Sequence, residues 1–372
     1  MKHDVHLAGP MALVERRVAD PSPPEAAARA TPHAAAATGA TTPAEIRTIL
    51  RRAGLIGLTD SPPMQPLTGG VSSDIWRVDT RTGPVCVKRA LGRLKVAAEW
   101  RAPVERNAYE AGWMRIAARY VPTAVPRLLH VDEPARALVM TFLEPARHPV
   151  WKEVMRDGEV DAGFARAVGA TLAAIHAGTA HDQAVAKAFA SDRIFFDIRL
   201  EPYLIATGLK HPDIQPQLTA LANRTAETRI ALVHGDVSPK NILVGPDGPV
   251  LLDAECAWFG DPAFDLAFCL NHLLLKAILR PDRLDALVLA FEGLAEAYLA
   301  QATWEPRLGL EARAATLLPA LFLARIDGKS PVEYVTLQGD KNRVRALARR
   351  FLLDPCEELE AIVVAWAEAM RG

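Results

Sequence analysis

Apolar and polar positions change rhythm twice along the chain. From Gln65 to Val87 short apolar runs are split by turn residues: Pro66-Leu67, Gly69-Gly70, Ile75-Trp76-Arg77-Val78, then Val85-Cys86-Val87. This spacing predicts three antiparallel strands. Between Val104 and Tyr120 the period lengthens, because Tyr109, Trp113, Ile116 and Tyr120 recur at steps of four, three and four and so form one helical stripe. Two more strands are expected over 125–131 and 137–142. Ahead of them, Thr42 is placed to cap a helix with Pro43 and Glu45 in its first turn and Ile46, Ile49 and Leu50 behind. Residues 44–144 therefore read as a small antiparallel sheet with a helix packed on it.

After Leu143-Glu144-Pro145 the pattern turns mostly helical. Phe164, Val168, Leu172 and Ile175 mark one amphipathic helix, and Leu359, Ile362, Val363, Trp366 and Met370 mark the last. The exception is 230–253, where Ala231-Leu232-Val233, Ile242-Leu243-Val244 and Val250-Leu251-Leu252 read as strands separated by polar loops. The whole is expected to be an α+β, bilobal protein, with the second lobe spanning 145–372. Residues 1–43 differ again: 12 Ala and 6 Pro with few large apolar side chains cannot repay the entropy of ordering, which predicts a flexible tail.

Composition narrows the classes. Half the residues are hydrophobic and 23% charged, which excludes disorder of the whole chain. Forty-three basic against 44 acidic residues give no overall case for nucleic acid or an anionic membrane as partner. Cys86, Cys256, Cys269 and Cys356 lack disulfide-framework or zinc spacing. The apolar stretch 266–279 is broken by Asn271, His272 and Lys276, so no membrane span is expected. The first residues mix acids with bases and lack the order of a signal peptide, and a cytoplasmic location is expected.

The chemistry concentrates in His234-Gly235-Asp236-Val237-Ser238-Pro239-Lys240-Asn241, followed by Leu251-Leu252-Asp253-Ala254-Glu255. Asp236 and Asn241 lie five apart on one loop and Asp253 ends a later strand, so three oxygen-bearing side chains are able to converge. Phosphoryl transfer needs such a set: a carboxylate to orient an acceptor hydroxyl, and hard oxygen ligands for a divalent ion.

This wording resembles the catalytic loop and metal turn of the protein-kinase-like fold, in the branch of aminoglycoside phosphotransferases and small-molecule kinases. The resemblance covers about residues 64–270. It implies an antiparallel-sheet N-lobe, a mostly helical C-lobe, ATP as phosphoryl donor and Mg²⁺ as cofactor. It implies Asp236 as catalytic base and Asn241 and Asp253 as metal ligands. Glu255 is either a further metal contact or a salt-bridged carboxylate. In Gly260-Asp261-Pro262-Ala263-Phe264-Asp265, the resemblance makes Asp265 a brace that accepts backbone N–H bonds from the catalytic loop. His176 reads as structural.

In the N-lobe, Thr68-Gly69-Gly70-Val71-Ser72-Ser73 is either a plain glycine hairpin or a phosphate-cradling loop using Gly70, Ser72 and Ser73. The resemblance further implies that Lys88, which closes an apolar run, contacts the α/β-phosphates and pairs with a helix glutamate. Glu110 is the candidate, with Glu99 and Glu105 as rivals. Leu138–Glu144 resembles the last strand and hinge, where Thr141 and Leu143 would meet the nucleotide. Lys240 departs from the commonest family wording, and either neutralises the travelling phosphoryl group or faces solvent.

The acceptor is least legible. Arg325, Asp327 and Lys329 form a polar cluster suited either to reading an acceptor or to ending a helix. Arg325, Arg343, Arg345, Arg349 and Arg350 enrich the C-terminal third in positive charge, unlike the acidic cleft that an aminoglycoside would favour. The 104–144 stretch is similar to methylthioribose kinases. A neutral or anionic small-molecule hydroxyl acceptor is expected, with choline, homoserine, ketoamines and aminoglycosides left open, as is a catalytically silent nucleotide-binding regulator.

Overall fold

The computed structural model describes residues 41–67, 73–91 and 105–372. The expected tail falls outside them apart from Thr41, Thr42 and Pro43. A helix spans Pro43–Arg52 and starts as its sequence predicts: Thr42 Oγ1 accepts from the Glu45 N–H at 3.3 Å, while Glu45 accepts from the Thr42 N–H at 2.8 Å. Two otherwise orphaned donors are thereby satisfied.

Five strands follow: β1 (Met64–Leu67), β2 (Ser73–Thr80), β3 (Gly83–Ala90), β4 (Leu128–Asp132) and β5 (Ala137–Thr141). They form one antiparallel sheet in the order β1-β2-β3-β5-β4. The period-2 pleat sorts their side chains. Val85, Val87, Ala137 and Val139 pack under Ile46, Ile49 and Leu50 of the first helix. Each of those large aliphatics contributes about 1.5–3 kcal/mol by leaving water. Leu138 and Met140 point to the opposite face, against Trp113 and Met114 of the Arg106–Tyr120 helix. Lys88 follows Val87 and pairs in register with Leu138, so the same alternation carries it to that second face.

The C-terminal part is built on long helices, among them Ala162–Thr179, Pro262–Leu279, Leu284–Ala300, Arg307–Asp327 and Leu359–Arg371. Two short ribbons interrupt them: β6 (Ala231–Val233) with β9 (Trp258–Gly260), and β7 (Ile242–Gly245) with β8 (Gly248–Leu251). The sequence pattern predicts β6, β7 and β8. It does not predict β9, whose three residues are too few to display a period.

The Pro262–Leu279 helix has the length and composition of a membrane-crossing helix, yet nearly all of it is buried in the protein core. Its polar residues Asp265, His272 and Lys276 recur at seven and four positions, which places them along one face. Residues Phe196–Ile205 wind as a π-helix around Pro202. Such wide turns cost hydrogen-bond geometry and are often found at functional sites.

Candidate active site

The loop between β6 and β7 is held from below. Gly235 has φ +80°, and a Cβ there would lie 2.8 Å from the Cys256 carbonyl oxygen, so both backbone and space require glycine. Asp265, fully buried, accepts from the backbone N–H of His234 at 2.7 Å and of Gly235 at 2.8 Å. His176 stands 3.3 Å from the same carboxylate and 2.7 Å from the Tyr298 hydroxyl. His234 Nδ1 accepts from the Asp236 N–H at 3.1 Å, and its Nε2 lies 3.1 Å from the Leu252 carbonyl. Burial lowers the His234 pKa, favouring the neutral ring that this pair of bonds requires.

Removing the Asp265 carboxylate leaves two buried N–H groups without an acceptor, at about 1–3 kcal/mol each. Asp265→Ala is therefore expected to lower Tm by about 3 °C or more. Calorimetry showing an unchanged Tm would mean that the loop is held by other contacts.

Asp236 is the most heavily bonded carboxylate of the loop. Its Oδ2 receives Asn241 Nδ2 at 2.8 Å, Arg199 at 3.0 Å and Lys240 at 3.1 Å. Burial alone would raise its pKa, but the Arg199 guanidinium and then the Lys240 ammonium outweigh it and hold the carboxyl down at about 2. Asp236 is thus a fixed anion, and among the described residues no side-chain contact engages its other oxygen. Lys240 keeps its side chain 55% exposed while its ammonium reaches Asp236.

Arg199 is the residue that sequence reasoning misses. It lies 37 positions before Asp236, inside the π-helix, and also donates to the carbonyl oxygens of Gly235 and Ile198. No motif or spacing announces it, because only the wide turn brings it under the loop.

Asn241 and Asp253 meet through β7 and β8. Ile242 pairs with Leu251, and the Leu252 N–H donates to the Asn241 carbonyl at 2.8 Å, so Asp253 follows directly beside Asn241. Asp253 has φ +69°, a conformation that Asp tolerates better than most residues. Lys88 Nζ crosses from the sheet to bind Asp253 and both Glu110 oxygens, the latter at 2.7 and 2.8 Å. Of the glutamates weighed from sequence, Glu99 lies outside the described residues, and between Glu105 and Glu110 it is Glu110 that pairs with Lys88.

Next to them Glu255 is bound by Arg106 at 2.9 Å, so one of its two oxygens is engaged by a guanidinium. Arg106, a fully buried arginine opening its helix, was not expected from the sequence. Burial raises the Glu110 carboxyl against the lowering influence of Lys88, to about 7, while Asp253 and Glu110 together lift Lys88 far above its usual range. Glu110, Asp253 and Glu255 thus gather around Lys88 and Arg106. Among the described residues no three His, Cys, Asp or Glu side chains form a metal cage. One carboxylate and one amide suit a hard ion that keeps waters and shares phosphate oxygens; the donor set fits Mg²⁺ bound with a nucleotide.

Gly70 and Ser72 lie outside the described residues. Ser73 is buried at the start of β2, opposite Ala90. Thr141 ends β5, where its hydroxyl accepts from the Arg127 N–H at 3.0 Å. Among the described residues no backbone hydrogen bond engages Leu143.

The expected acceptor cluster divides. Arg325 lines a small cavity beside Ser238 and Lys240. Asp327 instead binds His211 at 2.9 Å and Arg345 at 2.7 Å, and Lys329 binds Glu201 at 2.5 Å; neither lines that cavity. The helix ends at Asp327, which turns these two side chains to neighbouring helices. The C-terminal arginines are likewise committed elsewhere: Arg343 pairs with Asp340, Arg345 with Asp327, Arg349 with Asp213, and Arg350 lies over the Phe351 ring.

The sequence pattern of the phosphotransferase enzyme family matches residues 63–307, which is most of the chain and contains Lys88, Glu110, Arg199, Asp236, Asn241 and Asp253. The chain belongs to that family. It is 22% identical over 258 residues to methylthioribose kinase 1 of Oryza sativa subsp. japonica, covering 60% of this chain and 58% of the relative. It is 25% identical over 231 residues to the methylthioribose kinase of Geobacillus thermodenitrificans, covering 55% and 57%. The chain thus spans less than two thirds of the length of these relatives.

Solved structures share the fold. A choline/ethanolamine kinase family protein from Mesorhizobium loti superposes with TM-score 0.51 at 18% identity, over 88% of this chain and 97% of that one. The amicoumacin kinase hAmiN, in complex with AMP-PNP, Ca²⁺ and Ami, gives 0.54 at 13% identity, over 84% and 95%. The protein-kinase-like, bilobal α+β fold expected from the motifs is the fold of this phosphotransferase-family chain.

Proposed function

We propose that the protein transfers the γ-phosphoryl group of ATP to a hydroxyl of a small molecule, with Mg²⁺ as cofactor. The observation that carries this reading is Lys88 spanning from the sheet to Glu110 and Asp253 while Asp236 and Asn241 bond to each other on the neighbouring loop. In that arrangement Lys88 binds the α/β-phosphates, Asn241 and Asp253 hold the metal, and Leu143 offers free backbone groups to the adenine edge. When bound, the ion neutralises charge developing on the phosphate oxygens.

The remaining work falls to Asp236. The acceptor oxygen forms a bond to the γ-phosphorus as the bond from that phosphorus to the bridging oxygen breaks, its electron pair leaving with ADP. The hydroxyl proton passes to Asp236. A carboxylate held at about 2 is a weak base toward a resting alcohol. It therefore orients the hydroxyl first and takes the proton once bonding to phosphorus has made it acidic.

Intact Lys88, Asp236, Asn241 and Asp253 favour an enzyme over a silent nucleotide-binding regulator. The test is thermal unfolding with ATP in the presence of Mg²⁺ and of EDTA, followed by ADP release against a panel of hydroxylated metabolites. Mg²⁺-dependent stabilisation and acceptor-dependent ADP release are expected. Stabilisation without release for any acceptor would favour the regulator, and no stabilisation would remove the nucleotide reading.

A further inference from the structure

Beside Asp236 lies a cavity of about 50 Å³ lined by Ser238, Lys240, His272, Lys276, Arg325 and Tyr334. One water needs about 10–15 Å³ on this measure, so the space holds a group of carboxylate or phosphate size. Its walls come from five places: Lys152 of the short Trp151–Arg156 helix, the 234–241 loop, the polar face of the Pro262–Leu279 helix, the end of the Arg307–Asp327 helix, and the segment after it, which brings Glu333.

The polar atoms around it are poorly satisfied. Ser238 Oγ, Lys276 Nζ, Arg325 Nε and the Tyr334 hydroxyl are buried without a hydrogen-bond partner. Buried polar atoms are nearly always paired in native proteins, and four lining one cavity mark a place built for a ligand. The charges agree with that. Lys152 is neutralised by Glu333, and Lys240 by Asp236. Lys276 sits over the Tyr334 ring, 4.2 Å away, and is drawn by Glu333 and Glu153, while burial and then Lys152 bring its pKa down to about 8; Arg325 donates to Ser330 and to the Tyr203 hydroxyl. The Glu333 and Glu153 carboxylates pair with Lys152 and Arg156 instead, so among the described residues neither Lys276 nor Arg325 forms an ion pair. Burial, together with Arg325, Lys240 and Lys276, depresses His272, which keeps that ring neutral in a positive field.

We propose that this cavity binds an oxyanion of the acceptor, a carboxylate or phosphate carried on the same small molecule as the reacting hydroxyl. The inference rests on the phosphotransfer reading and narrows its substrate class. Lys276 and Arg325 supply the charge, and Ser238 and Tyr334 donate from their hydroxyls. Ser238 is two residues from Asp236, so an anion seated here leaves an adjoining hydroxyl within the reach of a short carbon chain from the base.

The test uses full-length protein with Mg·AMP-PNP, titrated by calorimetry with paired probes: glycerol 3-phosphate against glycerol, gluconate against methyl glucoside, and choline as a cation. At least one anionic probe is expected to bind about tenfold or more tightly than its neutral partner. The glycerol and gluconate arms separate phosphate from carboxylate. Lys276→Met and Arg325→Gln should each weaken that probe by at least about tenfold, and Arg325→Lys should recover part of the loss. Equal or tighter binding of neutral or cationic probes, no binding of either anion, or selectivity unchanged in the variants would overturn the proposal. The wild-type comparison stands even if a variant misfolds. Affinity for Mg·AMP-PNP, measured in the same titrations, reports on the phosphotransfer reading separately.

Discussion

Asp236→Asn is expected to lower kcat by about 10²–10⁴-fold while leaving Mg·ATP affinity nearly unchanged. The substitution keeps the shape of a side chain held by Arg199, Lys240 and Asn241, but removes the charge that draws the acceptor proton. Asp236 is bound to no group that the nucleotide reading uses except Asn241, so binding and chemistry should separate. Because the carboxyl is held at about 2, the wild-type rate should show no limb from Asp236 between pH 5 and 8, where this group stays ionised throughout. Single-turnover rates and nucleotide titrations together check the split. Turnover near the wild-type level in Asp236→Asn would reject this residue as the base.

The second large effect concerns Asp253, which is bound by Lys88 and stands beside Asn241. Asp253→Asn retains a side chain that tolerates φ +69°, so it isolates the charge. Metal-dependent charge stabilisation is worth several kcal/mol, and on the order of a 10²-fold loss in Mg²⁺-dependent nucleotide affinity is expected, together with loss of catalysis. Asp253→Ala adds a backbone cost of about 1–2 kcal/mol, because alanine resists the left-handed conformation. It should therefore melt below Asp253→Asn. Titrating AMP-PNP with and without Mg²⁺ tests the idea; an undiminished Mg²⁺ dependence in Asp253→Asn would contradict it.

Both experiments concern residues that local pattern makes visible. Asp236, Asn241 and Asp253 lie within 18 positions, on loops between strands whose apolar runs are plain in the sequence. The sheet was legible for a related reason. Val85 and Val87 alternate with Cys86 and Lys88, and the pleat then dictates which side chain faces the helix and which faces the first-helix core. The Thr42 cap needed only a threonine, a proline and a glutamate in order.

Arg199, Arg106 and the cavity were not legible. Arg199 reaches Asp236 only because a π-helical turn aims it there, and an isolated arginine in Ile198-Arg199-Leu200 looks like any amphipathic helix position. Arg106 binds Glu255 across 149 positions. Lys276 and Arg325 come from two different helices, and Asp327 and Lys329, two and four residues from Arg325, turn to other partners.

The sequence by itself determined the main strands and helices and set Asp236, Asn241 and Asp253 on neighbouring loops, since each depends on contacts between residues close in the chain or on a repeating period. Only the tertiary structure decided that Glu110 meets Lys88, which arginine holds Asp236, and which of the described C-terminal cations form no ion pair. Those outcomes depend on how distant helices are aimed, and on which charges find an opposite charge when they pack, and no local period encodes either.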